Sequence, residues 1–335
     1  MDFTERTPIE AGFAPVFRER VAPELDRLEA ERQALLATAK QRLGIVAAAW
    51  AVLSALAVWS GTGDVWVAPV VLALFAGVAG YFIWNSLARR WGGSLAAAVM
   101  PAVCDFLGDL SYDREARDRF PLDRAVALGL IDEHNRVSLQ DRLEGRYRET
   151  EFEVVEAHLR RRTRGGGEDQ DTKETTVFKG LLFRISTPEP APTPILIARD
   201  HGTLGNAIGS FFAEGFGRKM PKVEVDHPEF ETHFELHAED AAAARDYLPP
   251  AFLDNLLAIA REESDRAGDR AMKGMTAGFQ RDSFYLALAR DAEFLEMGGL
   301  TQPVADVAPE VHKVFHDIAL VRRIIDRLHG DAPSV

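Results

Sequence analysis

A chain of 335 residues with one cysteine, Cys104, cannot build an intrachain disulfide framework or a four-cysteine zinc site. Scarcity of thiols fits a reducing compartment. Positive charge is also in deficit. The net charge is −13, and a surface without a basic face does not hold phosphates, so no nucleic-acid partner is expected. No internal repeat of solenoid length is present. Chemical signatures are sparse: there is no P-loop lysine, no dinucleotide fingerprint and no local Ser/His/Asp or Cys/His arrangement. The sequence therefore assigns no catalytic residue, no cofactor and no metal site. Tryptophan is missing everywhere except one stretch, which holds all five: Trp50, Trp59, Trp66, Trp84 and Trp91.

That stretch is nearly free of charge. Residues 1–42 carry 7 basic and 8 acidic side chains, net −1. Residues 43–90 carry only Asp64, Arg89 and Arg90, net +1, which leaves −13 to the remainder. Two uncharged runs, 43–63 and 65–88, give helices of roughly 31 and 36 Å, enough for a hydrocarbon core of about 30 Å. A buried pair in a soluble core would show a polar face, and neither run has one. With 42 residues before it, the first run does not read as a signal peptide. Trp59 and Trp66 flank the turn, and Trp84 and Trp91 lie at the opposite end. Indole favours the headgroup layer, so these four read as membrane-interface residues in two belts, with Trp50 deeper. Lys40 and Arg42 precede the first span and Arg89 and Arg90 follow the second, whereas the connecting Gly61–Asp64 has no base. Positive flanks stay inside, which predicts two spans with both termini cytoplasmic. Small residues at four-residue spacing predict close helix packing: Ala47, Ala51 and Ala55 on one helix, Ala73 with Gly77 and Ala76 with Gly80 on the other. No ionisable residue lies inside either span, which argues against an ion-coupled transporter.

Outside the hairpin, Thr7-Pro8-Ile9-Glu10 is a capping box with proline at the first helical position, opening a short helix to about Arg20. A second helix starts at Pro23 and is expected to run into the membrane unbroken. After Arg90, apolar residues from Leu95 to Leu110 recur at helical spacing, with a kink at Pro101. From Arg136 the period turns towards two. Strands are read at Val137–Gln140, Leu143–Arg148, Phe152–Leu159, Thr176–Ser186, Ile195–Arg199, Val223–Asp226, His233–His237, Ser283–Arg290 and Phe294–Met297. Ala241–Arg261 is helical with a break at Pro249-Pro250, and Pro309–Leu328 is an amphipathic helix. The pattern predicts an α+β fold: N-terminal helices (1–42), a transmembrane hairpin (43–90), a helical connector (91–130), and a cytoplasmic α+β domain (131–330) with a mainly antiparallel sheet and flanking helices.

Several clusters hold side chains of the types that do chemistry. His227, His233 and His237 lie close in sequence, but Phe230, Phe234 and Leu236 read as the core side of that stretch and no cysteine joins in, so an exposed acidic turn is preferred; His312 and His316 are one helical turn apart but lack a third ligand nearby. The run His201–Gly217, with five glycines, is a cradle for phosphate at a helix N-terminus or a core loop, and the sequence leaves the choice open. Arg160, Arg161, Arg162 and Arg164 form a basic knot, read as a solvated strand tip rather than a lipid contact. Cys104 reads as an inert core thiol.

The two-span hairpin, the Leu143-Glu144-Gly145 turn with Thr150 and Glu156, the strand Val177-Phe178-Lys179-Gly180, the segment Val223–Phe234, Ala244-Arg245, Leu248-Pro249 and Phe252-Leu253 together resemble a bacterial family known as domain of unknown function three-one-three-seven. The resemblance spans roughly residues 15–330 and departs at Asp141 and Arg142, where the family has an aromatic-rich acidic run. It implies an inner (plasma) membrane protein with a cytoplasmic domain and no activity to carry over. It also implies, as a partner, the small membrane-protein family called LemA, beside the lipid bilayer itself and a protein partner or self-association. The expected role is an inner-membrane protein presenting an acidic α+β binding or scaffolding domain. The alternatives are a membrane-tethered enzyme acting on a lipid or phosphorylated metabolite, and a small oligomeric assembly or pore.

Overall fold

A computed structural model describes residues 1–61, 66–116, 119–164, 172–199, 220–267 and 274–330. The chain divides into two compact units, Met1–Phe106 with Glu296–Phe315, and Leu107–Leu295 with His316–Val335.

The first unit opens on a 3-10 turn, Pro8–Glu10, closed as a capping box: Glu10 accepts from the backbone N–H groups of Arg6 and Thr7 at 2.6 and 3.2 Å. A short helix α1 (Phe13–Val16) then widens into a π turn, Phe17–Val21, in which the Ala22 N–H donates to the Phe17 carbonyl. The widening precedes Pro23, which lacks the N–H that a regular turn would need. Helix α2 (Ala22–Trp59) follows without a break, and α3 (Val67–Leu107) returns antiparallel and continues through Pro101. Leu43 lies against Gly80, and the Trp50 indole donates to the Pro69 carbonyl at 3.1 Å. Both helices are long and apolar enough to cross a membrane. Away from those stretches the same rods are buried by protein, through Leu25, Leu35 and Ala39 on α2 and Leu87, Trp91, Leu95, Val99 and Val103 on α3. The segment from Glu296 seals this lower half. Arg32 pairs with Glu29 at 2.6 Å and donates to the Leu300 carbonyl at 3.0 Å. At the base, Phe3, Phe13, Phe17, Phe106 and Phe315 form an aromatic cluster, with ring centroids 4.8 to 6.4 Å apart where they meet. Beside it, His312 stacks on Phe3 and meets the buried Glu10 carboxylate at 2.8 Å.

The second unit is a nine-stranded, wholly antiparallel sheet: β1 (Leu110–Asp113), β2 (Arg136–Tyr147), β3 (Thr150–Arg164), β4 (Thr172–Ser186), β5 (Ile195–Arg199), β6 (Lys222–Val223), β7 (Phe234–Ala238), β8 (Met275–Gln280) and β9 (Ser283–Ala289). Their spatial order is β1-β2-β3-β4-β9-β8-β5-β7-β6. Tyr147 pairs with Thr150 across Arg148 and Glu149, which both have positive φ (51° and 64°), the two-residue hairpin turn whose twist matches the strands. Gly145 is required because β1 crosses close by: a Cβ there would land on the Asp109 carbonyl oxygen. Alternation along the strands gives two faces. Phe152, Val154, Leu181, Phe183, Ile185, Phe284, Leu286 and Leu288 share one by register. Helix α7 (Pro250–Ala267) covers part of it, with Phe252 5.4 Å from Phe279 and 6.2 Å from Phe284. The last helix, α8 (Ala308–Leu328), belongs to this unit from His316 onward, and its Asp326 accepts from Arg148 at 2.8 Å. On the other face Val155, Ala157, Leu159, Leu182, Tyr285 and Ala287 pack with Ala125 and Leu128 of α4 (Leu122–Leu128) and with Phe120, Leu130 and Ile131. Helices α5 (Pro228–His233) and α6 (Ala241–Tyr247) flank β7.

The fold is α+β with N-terminal helices and a mainly antiparallel sheet, as the sequence implies. Local readings differ in five places. The stretch expected to be helical to residue 130 is helical only to Leu107 and then holds β1 and α4. Val137–Gln140 and Leu143–Arg148 are one strand interrupted by a bulge at Asp141 and Arg142. Met275–Gln280 is a strand despite Gly278. His233 ends a helix rather than opening a strand. Phe294–Met297 is not a strand, because Leu295 takes a left-handed backbone (φ 52°) that ends pairing.

Candidate functional site

Strand alternation places Glu156 on the same face as Phe152 and Val154, where an apolar residue is the default. It is 6 % exposed. Two further buried carboxylates, Asp141 and Asp317, and the exposed Glu293 lie near it in the second unit. The bulge in β2 turns Asp141 (φ 51°) inward, where its carboxylate accepts the hydroxyl proton of Tyr112 from β1. Glu293 comes from the loop after β9, and Asp317 from α8. Two consecutive backbone N–H groups of that loop are held by these acids: Phe294 N–H donates to Glu156 Oε2 at 2.8 Å, and Leu295 N–H to Asp317 Oδ2 at 2.9 Å. Arg290 reaches Asp317 Oδ1 at 3.5 Å and its own loop carbonyl at Ala292 at 2.9 Å.

Burial, reinforced by the charges of Asp141 and Glu293, pushes the Glu156 carboxyl up to about 7, against the pull of the Phe294 N–H. Burial likewise raises Asp141 to about 6, with Tyr112 and Arg114 opposing. Asp317 is raised by burial although Arg290 and the Leu295 N–H favour its charge. Burial and the adjacent Asp141 drive the Tyr112 hydroxyl far up, so it stays a donor. Carboxyls with such raised values exchange protons near neutrality, the property that marks functional sites in general. Nothing local in the sequence announces the group, since its members stand at 112, 141, 156, 293 and 317. The one legible signal is a glutamate on the apolar register of β3.

On the opposite face of the same strands, Glu153 is 2 % exposed and receives Arg142 at 2.6 Å and Arg184 at 3.1 Å. Burial disfavours the charge on Arg142, and Glu144 and Glu153 overcome it.

Trp59 and Trp66 are 86 % and 78 % exposed, Trp84 is half-buried, and Arg42, Arg89 and Arg90 are exposed. Trp91 is 1 % exposed, enclosed in the first unit beside Leu95 and Gly298. Ala47, Ala51, Ala55, Ala73 and Gly77 are exposed, while Gly80, half-buried, is the small residue that admits a neighbour, Leu43. His227 caps α5, its Nδ1 accepting from the Phe230 N–H and its Nε2 meeting Asp254 at 2.9 Å. His237 instead lies 3.5 Å from Glu235. Among the described residues no three His, Cys, Asp or Glu side chains are placed to hold a metal. Burial and Asp105 push the Cys104 thiol up to about 11, which keeps it protonated. Arg161 donates to the Glu133 carbonyl at 2.7 and 3.0 Å, and Arg160 pairs with Glu174. The glycine run 201–217 lies outside the described residues.

Comparison with known proteins gives three findings. No curated protein matches the chain. A solved structure, that of the mycobacterial trehalose monomycolate transport factor A, TtfA, is similar at 11 % identity over 68 % of this chain and 90 % of that chain, with a TM-score of 0.30. Residues 176–329 match the model of a family described as "Protein of unknown function (DUF3137)", so the hairpin and the Leu143-Glu144-Gly145 turn lie outside the matched part. Over residues 176–329, then, this chain is similar to that family of unknown function.

Proposed function

We propose that the chain is a two-span protein of the inner (plasma) membrane that holds its α+β domain at the cytoplasmic face as a binding or scaffolding module for a protein partner. The observation that carries this reading is where apolar surface is left open. Among the described residues, sixteen of the eighteen exposed large apolar side chains lie between Ile45 and Phe82, and the other two are Met1 and Val137. Contiguous apolar exposure on that scale is unstable in water and ordinary in lipid. From Trp66 to Trp84 the helix rises about 27 Å, close to the thickness of a hydrocarbon core. The basic residues Arg42, Arg89 and Arg90 stand at one end of the pair, which supports an inside location for both termini.

The test is cysteine accessibility. With Cys104→Ser removing the native thiol, Thr62→Cys should react with a membrane-impermeant maleimide added to intact cells or right-side-out vesicles. Labelling only after lysis overturns the orientation. Recovery of the full-length chain in the supernatant after ultracentrifugation without detergent overturns the membrane reading altogether.

A further inference from the structure

The loop Arg290–Leu295 leaves β9 and is fastened through its backbone. Its two adjacent N–H groups, on Phe294 and Leu295, are taken by carboxylates from two different elements, Glu156 of β3 and Asp317 of α8. Leu295 is buried and sits in the left-handed region (φ 52°), a conformation that a leucine keeps only when its surroundings impose it. The fastening therefore opposes a local strain, and the loop has a relaxed alternative if the fastening weakens.

The charges around the fastening do not balance when every acid is ionised. Facing Glu156 are Asp141 from β2 and Glu293 and Arg290 from the loop; on β4 its register partner is Leu181, which is uncharged. Facing Asp317 are Arg290 and its helix neighbour His316. Facing Asp141 are Tyr112 of β1, Arg114 and Glu293. Three buried carboxylates, Glu156, Asp141 and Asp317, thus share Arg290, Arg114 and His316, the exposed Glu293 adds to the repulsion, and burial leaves little water to screen the three. Proton uptake by the cluster relieves the repulsion while the loop is down. Opening lets water reach the acids and removes the need for the proton.

We propose that the Arg290–Leu295 loop is a proton-linked latch, closed while the buried carboxyl cluster retains a proton and loosened when the cluster is fully ionised. Linkage gives the sign: the closed loop binds more protons than the open loop, so acid favours closure and a rise in pH favours opening. Glu156, with its value near 7, places the transition around neutrality. The latch is a property of the second unit alone and stands or falls independently of the membrane reading.

The experiment is amide hydrogen exchange on the full-length chain in detergent, from pH 5 to pH 8.5, with each rate corrected for the intrinsic pH dependence of exchange. The Phe294 and Leu295 amides should lose protection by up to about tenfold per pH unit as pH rises towards about 7, one proton's worth of linkage, and level off above it, where the closed and open loops are both ionised. The β8 and β9 amides serve as the internal reference and should change less. Glu156→Gln keeps an acceptor for Phe294 and cannot ionise, so it should flatten the profile and raise protection at pH 8.5. The wild-type profile needs no variant to be decisive: protection that is independent of pH across the range overturns the latch. So does a Glu156→Gln profile with the wild-type slope. Should Glu156→Gln fail to fold, Asp141→Asn is read the same way, since it removes one of the repelling charges.

Discussion

Arg142 and Glu153 offer the sharpest energetic test of the second unit. Their charged groups meet at 2.6 Å, with side chains 10 % and 3 % exposed, so neither can fall back on water if the other is removed. Loss of one member of a buried pair costs about 3–5 kcal/mol in general. Arg142→Met leaves Glu153 ionised in a nearly dry site, but Arg184 still touches it at 3.1 Å, so the low end applies, about 3 kcal/mol. Glu153→Gln is milder. Its amide oxygen still accepts from Arg142, and Arg142 keeps Glu144, so about 1 kcal/mol is expected. In the double variant no buried charge is orphaned at position 153, and the cost should fall short of the sum by about 1 kcal/mol or more. Tryptophan emission is the wrong probe, because all five indoles lie between residues 50 and 91, in the first unit. Hydrogen exchange at the β3 amides of Val154 and Val155 reads the right element: about 3 kcal/mol should lower protection by roughly two orders of magnitude. Strict additivity of the two substitutions, or an Arg142→Met cost below about 0.5 kcal/mol, would refute the reasoning.

Other perturbations follow from particular contacts. Gly145→Ala should destabilise the second unit by about 2 kcal/mol or more, since its Cβ meets backbone at Asp109 rather than a movable side chain; a thermal midpoint within a degree of wild type would count against it. Phe3→Ala removes a buried ring that touches Phe13, Phe17, Phe315 and His312, with an expected cost of about 3 kcal/mol seen first as faster proteolysis near the N-terminus. Leu74→Arg, at an exposed site midway along the apolar part of α3, should cost about 3 kcal/mol of insertion and reduce the membrane-bound fraction, while Arg90→Leu, beyond it, should not. The raised values of Glu156 and Asp141 mean that the folded state holds protons the unfolded chain has released. Their contribution to stability is greatest below the ordinary carboxyl range and is lost as pH rises through about 6 to 7, so denaturant midpoints of the second unit should fall between pH 5 and pH 8 and do so less in Glu156→Gln.

What could be read from the sequence follows how locally each feature is encoded. The hairpin is written in two charge-free runs, and α8 in a stripe from Val311 to Leu328 that needs only its own residues. Most strands show in their alternation. β1 is four residues without an apolar period, and β8 carries Gly278, a poor strand former tolerated because a Cβ there would strike Ile195 and Leu128. Those elements are specified by their neighbours and so are silent in a linear reading. The carboxyl cluster is silent for the same reason, because β-pairing and a bulge bring together positions up to two hundred residues apart. The resemblance motifs carried more than they declared: Gly145 and Gly180 both sit where an adjacent strand leaves no room for a side chain, and Glu156 is the hub of the buried acids.

Helix α2 has no joint from Ala22 to Trp59. At 1.5 Å per residue it is a stiff shaft of about 57 Å, of which the apolar part is less than half. If lipid surrounds that part, a thinner bilayer inclines it, and an inclined shaft swings its free end. Ten degrees of lean over about 30 Å of protruding helix is a sideways travel of about 5 Å. Glu29 and Arg32, which grip the Leu300–Val304 segment, ride on that protruding length. A change in bilayer thickness is thereby converted into lateral displacement at a known set of contacts, with no hinge in between to absorb it.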